Sequence, residues 1–428
     1  MVKNSFQKIS QCRSCGSEEL IPVLSLGDQY TSDFLNSKDE LNGNEKIPLD
    51  LVLCGEQSCS LLQTLHTASR QTLFNKNYWF RSSVNESLVE GLYDITSAIQ
   101  KKINISDDDL ILDIGCNDGT LLRSFKKGKK VGFEPAPNIA PDATKGTFKI
   151  INDFFNYESF ENELPGLKCK SITSIAMFYD LENPNKFVAD ISKCLDKNGI
   201  WTIQMAYLKT DIDSNGFDNI VHEHLEYYSL HSLESLLSRH NLEVFDLELN
   251  DLYGGSIRTY IKHKECSEFS IQESVEQLRA QELADGFSNV QTYLDYGARV
   301  MNLKNQLLAF IKQEQEAGKI IYCYGASTKG NTQLQYFDLN DSVIEKVVDR
   351  DHRKFGKYTV GSNLLVISEE EGRQEKPDYF IILPWHLTDF FVERERAYLE
   401  KGGKFIVPIP HFRVISIDDL EEKNNEGY

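Results

Sequence analysis

Apolar positions cluster in short runs that, from about residue 70 onward, alternate with longer mixed stretches. LILDIG (110–115), KVGFEP (130–135), FKIINDFF (148–155), SITSIAMF (171–178) and GIWTIQMA (199–206) read as strands. Helices are expected between them, for instance around Ile139 to Thr144 and from Asn185 to Leu195. This alternation predicts a parallel sheet with crossover helices. A charged, helix-permissive stretch then runs from Ile271 to Ala317, interrupted only by Gly286 and Gly297. Strands resume at KIIYCYGA (319–326), VIEKVVDR (343–350), DYFIILPW (378–385) and GKFIVPIP (403–410), a second α/β unit. Residues 1–68 differ in texture, with short strand-like runs, paired cysteines and turn residues. The expected division is a small module over 1–68, an α/β domain over 69–248 and another over 249–428. No internal repeat is visible, and the acidic tail DDLEEKNNEGY is expected to fray.

Composition narrows the class. With 428 residues, 40% apolar and 26% charged, the chain has the make-up of an ordinary globular protein of two or three domains. No apolar run approaches the roughly 20 residues of a membrane span. The start, MVKNSFQKISQC, has no apolar core of a signal peptide, so a cytoplasmic location is expected. The net charge of −19 repels nucleic acid and anionic membrane, and neither is expected as a partner. The one basic run, KKGKK at 126–130, reads as a solvated helix end or loop.

The cysteines are unevenly placed. Of nine, four fall in the first 59 residues and the others are scattered singly. Cys12-Arg-Ser-Cys15 and Cys54-Gly-Glu-Gln-Ser-Cys59 form two close pairs, a spacing suited to tetrahedral zinc. Gly16 offers the backbone freedom that a tight knuckle wants. Four thiolates close the coordination shell, so the expected zinc is structural.

A cofactor site is expected where LILDI meets Gly115-Cys116-Asn117-Asp118-Gly119. Asp113 stands at the strand end, and the turn's amides can meet a carboxylate or phosphate. Glu134 ends the next strand, where a carboxylate can accept from both ribose hydroxyls. Asn152, Asp153, Phe154 and Phe155 end the third, offering polar groups for an adenine amino group and rings beside it. These strand ends resemble the class I S-adenosylmethionine-dependent methyltransferases. An NAD site remains the other reading of such a turn, although its Gly-x-Gly-x-x-Gly spacing is absent.

Further motifs follow in order: NYWFRSS (77–83), HEHLEYYSL (222–230), YGGSIRTY (253–260), YGASTKGNT (324–332) and LPWH (383–386). With the cysteine module and the cofactor turn, the chain resembles, over nearly its whole length, the three-domain C-methyltransferases of nucleotide-linked keto-deoxysugars. The resemblance implies a class I methyltransferase core flanked by a four-cysteine zinc module and a second Rossmann-like α/β domain, working as monomer or homodimer. It implies His224 as the base that removes the proton alpha to a ketone, with Glu223 as its orienter or relay, setting the imidazole near neutrality. Tyr78, His222 and Tyr179 become the donors to the enolate oxygen. The turn bearing Tyr324, Ser327 and Lys329 becomes a cradle for the sugar's nucleotide diphosphate. Inversion is expected at the transferred methyl carbon.

Several readings stay open. His222 and His224, two apart, can share a face as ligands of a second zinc. Lys329 reads also as a solvated turn lysine, and Asp349 as a ribose ligand or a strand-end turn residue. Val221 stands where sugar 3-C-methyltransferases carry a tyrosine, and Tyr179-Asp180 where some carry a histidine. O- or N-methylation, or a non-sugar carbonyl acceptor, is the alternative function; a non-catalytic zinc-and-nucleotide module and a working NAD site in the C-terminal domain are the others.

Overall fold

The computed structural model of the protein describes residues 6–41, 45–55, 58–69, 73, 81–84 and 86–420. Tyr78 and the end of the acidic tail lie outside the described residues.

The strand Leu110–Ile114 is buried at every position, as a five-residue apolar run must be when helices cover both faces of its sheet. It lies near the middle of a seven-stranded sheet. The order is Lys149–Ile151, Lys129–Phe133, Leu110–Ile114, Cys169–Ile175, Leu195–Ala206, Ser256–His263, Leu242–Asn250. All are parallel except Ser256–His263, which runs against both neighbours. This strand, beyond the expected boundary at 248, thus belongs to the first α/β sheet. The helix Glu86–Lys102 turns Leu92, Ile95 and Ile99 onto Ile111, Leu121 and Phe125 at helical spacing. FKIINDFF keeps only Lys149–Ile151 as strand, and its polar middle leaves the sheet at Asn152. Of KKGKK, residues 126–128 are the loop expected, with Gly128 at φ +95, while Lys129 and Lys130 open a strand.

The C-terminal sheet has eight strands, in the order Arg413–Ile415, Lys404–Val407, Tyr379–Ile382, Ile321–Tyr324, Lys346–Asp349, Leu365–Ser368, Tyr358–Thr359, Phe34–Leu35. Its last member comes from the N-terminal module. The module's own four-stranded sheet, Leu20–Gln29, Ile47–Cys54 and Leu62–Thr64, is in turn completed by Glu226–Tyr227, two residues past His224. Phe6–Lys8 pairs with His66–Ala68.

The stretch from 271 to 317 forms two helices, Glu273–Ala284 and Val290–Glu316, parted at Gly286 with φ +75. Gly297 breaks nothing. A Cβ there would stand 2.6 Å from the Val23 carbonyl, so glycine lets the long helix lie directly on the N-terminal strand. Tyr293, Tyr296, Val300, Leu303 and Leu307 then join N-terminal Leu24, Leu49 and Leu51 in one core with the C-terminal sheet. Among the described residues, no helix is long and apolar enough to cross a membrane.

Candidate functional site

The four N-terminal cysteines converge. Cys12 and Cys59 sulfurs lie 3.6 Å apart and Cys15 and Cys54 sulfurs 3.4 Å apart, with all four within 4.8 Å of one another. A tetrahedron of thiolates around zinc has edges of about 3.8 Å. Gly16, at φ +74, donates its amide to the Cys12 carbonyl and closes the knuckle. Hydrogen bonds from Cys54 and Cys59 lower the Cys12 thiol, and the same bonds to Cys12 push Cys59 up. Four converging sulfurs at this spacing are a donor set that fits zinc, since a divalent cation lets the thiols ionise together. No other grouping of this kind occurs among the described residues.

At the carboxyl end of the seven-stranded sheet opens a cavity of about 510 Å³, lined by Asp113, Gly115, Asn117, Glu134, Asp153 and Phe154 among others. Its volume suits a nucleoside-sized ligand. The turn after Leu110–Ile114 bends through Gly115 (φ +71), Asn117 (φ +51) and Gly119 (φ +78). The amides of Gly115 and Cys116 bond the Phe133 carbonyl of the next strand, at 2.9 and 3.0 Å. Burial pushes Asp113 up to about 7, against a 2.6 Å hydrogen bond from the Thr173 hydroxyl. Glu134 accepts from the Asn117 and Ala136 amides, each at 2.8 Å, and burial raises it as well. Each oxygen keeps a second lone pair for a ligand's hydroxyls.

Asp118 and Gly119 do not line the cavity. The Asp118 carboxylate turns back to Thr120 and to the Ser83 amide, while Gly119 is pressed against Ala143, whose Cα a Cβ would meet at 3.0 Å. They shape the turn rather than face the ligand. Asp153 accepts from the Phe154 amide and the Ser159 hydroxyl, and Phe154 is exposed at the rim.

The HEH loop divides its side chains. Glu223 lines the cavity together with Asp180 and Leu225. His222 is buried and donates from Nε2 to the Ile47 carbonyl at 3.0 Å, in the N-terminal sheet. His224 lies on another side, where Nδ1 donates to the Asn219 carbonyl at 2.8 Å and the ring packs edge-on to Tyr179 at 4.4 Å. Three expectations therefore change. His222 is not placed as an oxyanion donor, the two histidines do not converge on a metal, and the orienter of His224 is Asn219 rather than Glu223. Burial lowers His224 to about 4, with the Lys329 charge adding to it, so the ring is neutral at pH 7 and not poised near neutrality.

Lys329 brings the C-terminal domain to this place. Its charge reaches Asp211 and His386 as well as His224. Asp211, pushed up to about 7 by burial, accepts from Asn219, and neighbouring Asp218 accepts from Trp385 and Gln333. Ser327 is the N-cap of Thr328–Tyr336 and accepts from the Gly330 amide at 2.9 Å. Tyr324 points to the opposite face of its sheet, where it is buried and donates to Glu395 at 2.9 Å, so it does not serve a ligand here. Asp349 accepts from Lys354 and the Asp351 amide, the strand-end role.

Asn219, Thr173 and Asp211 have no spacing signal in the sequence that marks them as site residues. Asp180 has none either; with Tyr179 it is marked only by the resemblance, as the place where some members have a histidine.

Three family models match the chain in succession: "Putative zinc binding domain" over residues 12–74, "Methyltransferase domain" over 93–247 and "C-methyltransferase C-terminal domain" over 251–410. The chain is 29% identical over 415 residues to the C-methyltransferase NovU of Streptomyces niveus, a match covering 96% of this chain and 98% of that protein. Among solved structures, it is similar to an S-adenosylmethionine-dependent methyltransferase from Clostridium acetobutylicum (13% identity, 41% of this chain, 91% of that chain, TM-score 0.32). It is also similar to the magnesium protoporphyrin IX methyltransferase of Synechocystis with bound S-adenosylhomocysteine (10% identity, 42% of this chain, 87% of that chain, TM-score 0.32).

Proposed function

Because the chain belongs to the three-domain, S-adenosylmethionine-dependent C-methyltransferases, we propose that its acceptor is a nucleotide-activated keto-deoxysugar and that His224 removes the proton alpha to the ketone. The supporting observation is the position of the HEH loop, with Glu223 in the cofactor cavity and His224 within reach of the charge of Lys329 in the C-terminal domain. Carbon is methylated only as a carbanion or enolate, so a base is required. With Nδ1–H fixed on the Asn219 carbonyl, the neutral ring keeps its Nε2 lone pair for that proton. The α-C–H bond breaks, an N–H bond forms, and the electron pair moves onto the carbonyl oxygen. S-adenosylmethionine, when bound, supplies an electrophilic methyl group for that carbon. Lys329, beside the same histidine, is a cation for the diphosphate.

Exchange of deuterium from solvent into a set of nucleoside-diphosphate keto-deoxysugars, without methyl donor, tests the reading. Wild type is expected to exchange the α-proton of at least one, and His224→Ala to abolish it. Methylation of any of them without exchange in either protein points instead to an O- or N-acceptor and removes the base. Lys329→Ala is expected to raise the acceptor KM at least 10-fold, leaving S-adenosylmethionine affinity within 2-fold.

A further inference from the structure

With His222 engaged by the Ile47 carbonyl, two carboxyls of the cavity stand out among the described residues. Asp180 Oδ1 and Glu223 Oε2 are closed to solvent and have no hydrogen-bond partner. Both belong to the cavity lining, and the charge of Glu223 reaches Asp180. Asp180 ends the short turn Phe178–Asp180, which follows the strand Cys169–Ile175 through Ala176 at φ +52. Glu223 sits in the turn closed by the His224 amide on the Val221 carbonyl. A 2.7 Å bond from the Leu225 amide to the Tyr179 carbonyl ties one loop to the other. Two neighbouring carboxyls with oxygens closed to solvent do not both ionise readily, and the one kept neutral is a hydrogen-bond donor.

We propose that Asp180 and Glu223 hold one proton between them and present it as a hydrogen bond to the acceptor's carbonyl oxygen while His224 takes the α-proton. The role rests on the proposed keto-sugar reading. Donation to the oxygen that gains charge is what lowers the cost of enolate formation. The proton remains on the pair, so the only covalent change is the transfer from carbon to His224. Burial, and then the charge of Glu223, pushes Asp180 far above the usual carboxylate range, and burial raises Glu223. The charged and titratable groups around the pair are Glu226 with Arg13 behind it, Tyr227, His224, and Glu182 and Lys186 along the cavity.

The test compares wild type, Asp180→Ala, Asp180→Asn and Glu223→Gln. Infrared difference spectra at neutral pH are expected to show a neutral carboxyl in wild type that either substitution removes. Solvent deuterium exchange of the α-proton is expected to fall roughly 100-fold in Asp180→Ala. Asp180→Asn, which still donates, is expected to recover part of this and to lose the alkaline decline of the wild-type rate. Calorimetric titration with S-adenosylhomocysteine identifies any variant that has lost its fold, in which case Glu223→Gln carries the comparison. Absence of the neutral carboxyl band, or an unchanged alkaline decline in both conservative variants, overturns the role of the pair. If wild type exchanges no α-proton at all, the keto-sugar reading falls and this role with it; if wild type exchanges and the variants match it, only this role falls.

Discussion

Asp113 shows how much one side chain gives up for the cofactor turn. It is 3% exposed and has a single neutral donor in Thr173, so burial raises its carboxyl to about 7 from an ordinary value of 3.8. A folded-state value above the unfolded one means that its contribution is fully present below about pH 3.8 and lost as pH rises to about 7. Asp113→Asn is therefore expected to be more stable than wild type by up to about 4 kcal/mol at pH 8 and equal to it near pH 3.5, read from urea midpoints. Its affinity for S-adenosylmethionine is expected to drop. Residues of this kind were legible because each ends a recognisable apolar run, as Asp113 and Glu134 do, or has metal-ligand spacing, as the cysteines do. Tyr324 was misplaced because a strand alternates faces, and position alone does not say which face meets the ligand. Asn219 was invisible: a backbone carbonyl orients His224, and carbonyls leave no signature in side-chain identity.

At the scale of elements, Glu282 does a cap's work from a distance. Buried on the helix Glu273–Ala284, it accepts from the Leu230 and His231 amides at 2.6 and 2.9 Å and from the Tyr207 hydroxyl at 2.7 Å. It thereby closes the start of the helix Leu230–Ser238 beside Ser229, the local cap. Glu282→Ala leaves those donors without an acceptor and is expected to cost about 2–4 kcal/mol, with Glu282→Gln recovering part, measured by denaturant unfolding. The apolar runs named as strands in the two α/β sheets recur as strands, because four or more apolar positions fix a period, whereas the helix Glu86–Lys102 and the strands Leu242–Asn250 and Ser256–His263 were not read. Two-residue strands such as Glu226–Tyr227, Phe34–Leu35 and Tyr358–Thr359 show no period, yet they set how the parts of the chain join. The helix from Val290 gave the opposite surprise, since Gly297 looked like a breaker and is a contact point.

Across the whole molecule, the zinc-binding domain is joined to the HEH loop. Ile47–Cys54 has a metal ligand at one end and the carbonyl that holds His222 at the other, and Leu62–Thr64 pairs with Glu226–Tyr227. Removing zinc with a chelator, or Cys59→Ser, is expected to lower the melting temperature and to cut methylation at least 10-fold. S-adenosylmethionine binding, built on the seven-stranded sheet, is expected to suffer less; equal losses of both would contradict this linkage. The same interleaving has a consequence for synthesis. Phe34–Leu35 finds its neighbour only in Tyr358–Thr359, and the N-terminal sheet lacks its last strand until Glu226–Tyr227 exists. At about 5–20 residues per second, Thr359 is made roughly 15–60 s after Ala68. A segment made early is thus among the last to finish folding, and for that interval its exposed edges and four thiols depend on early metal capture or on chaperones.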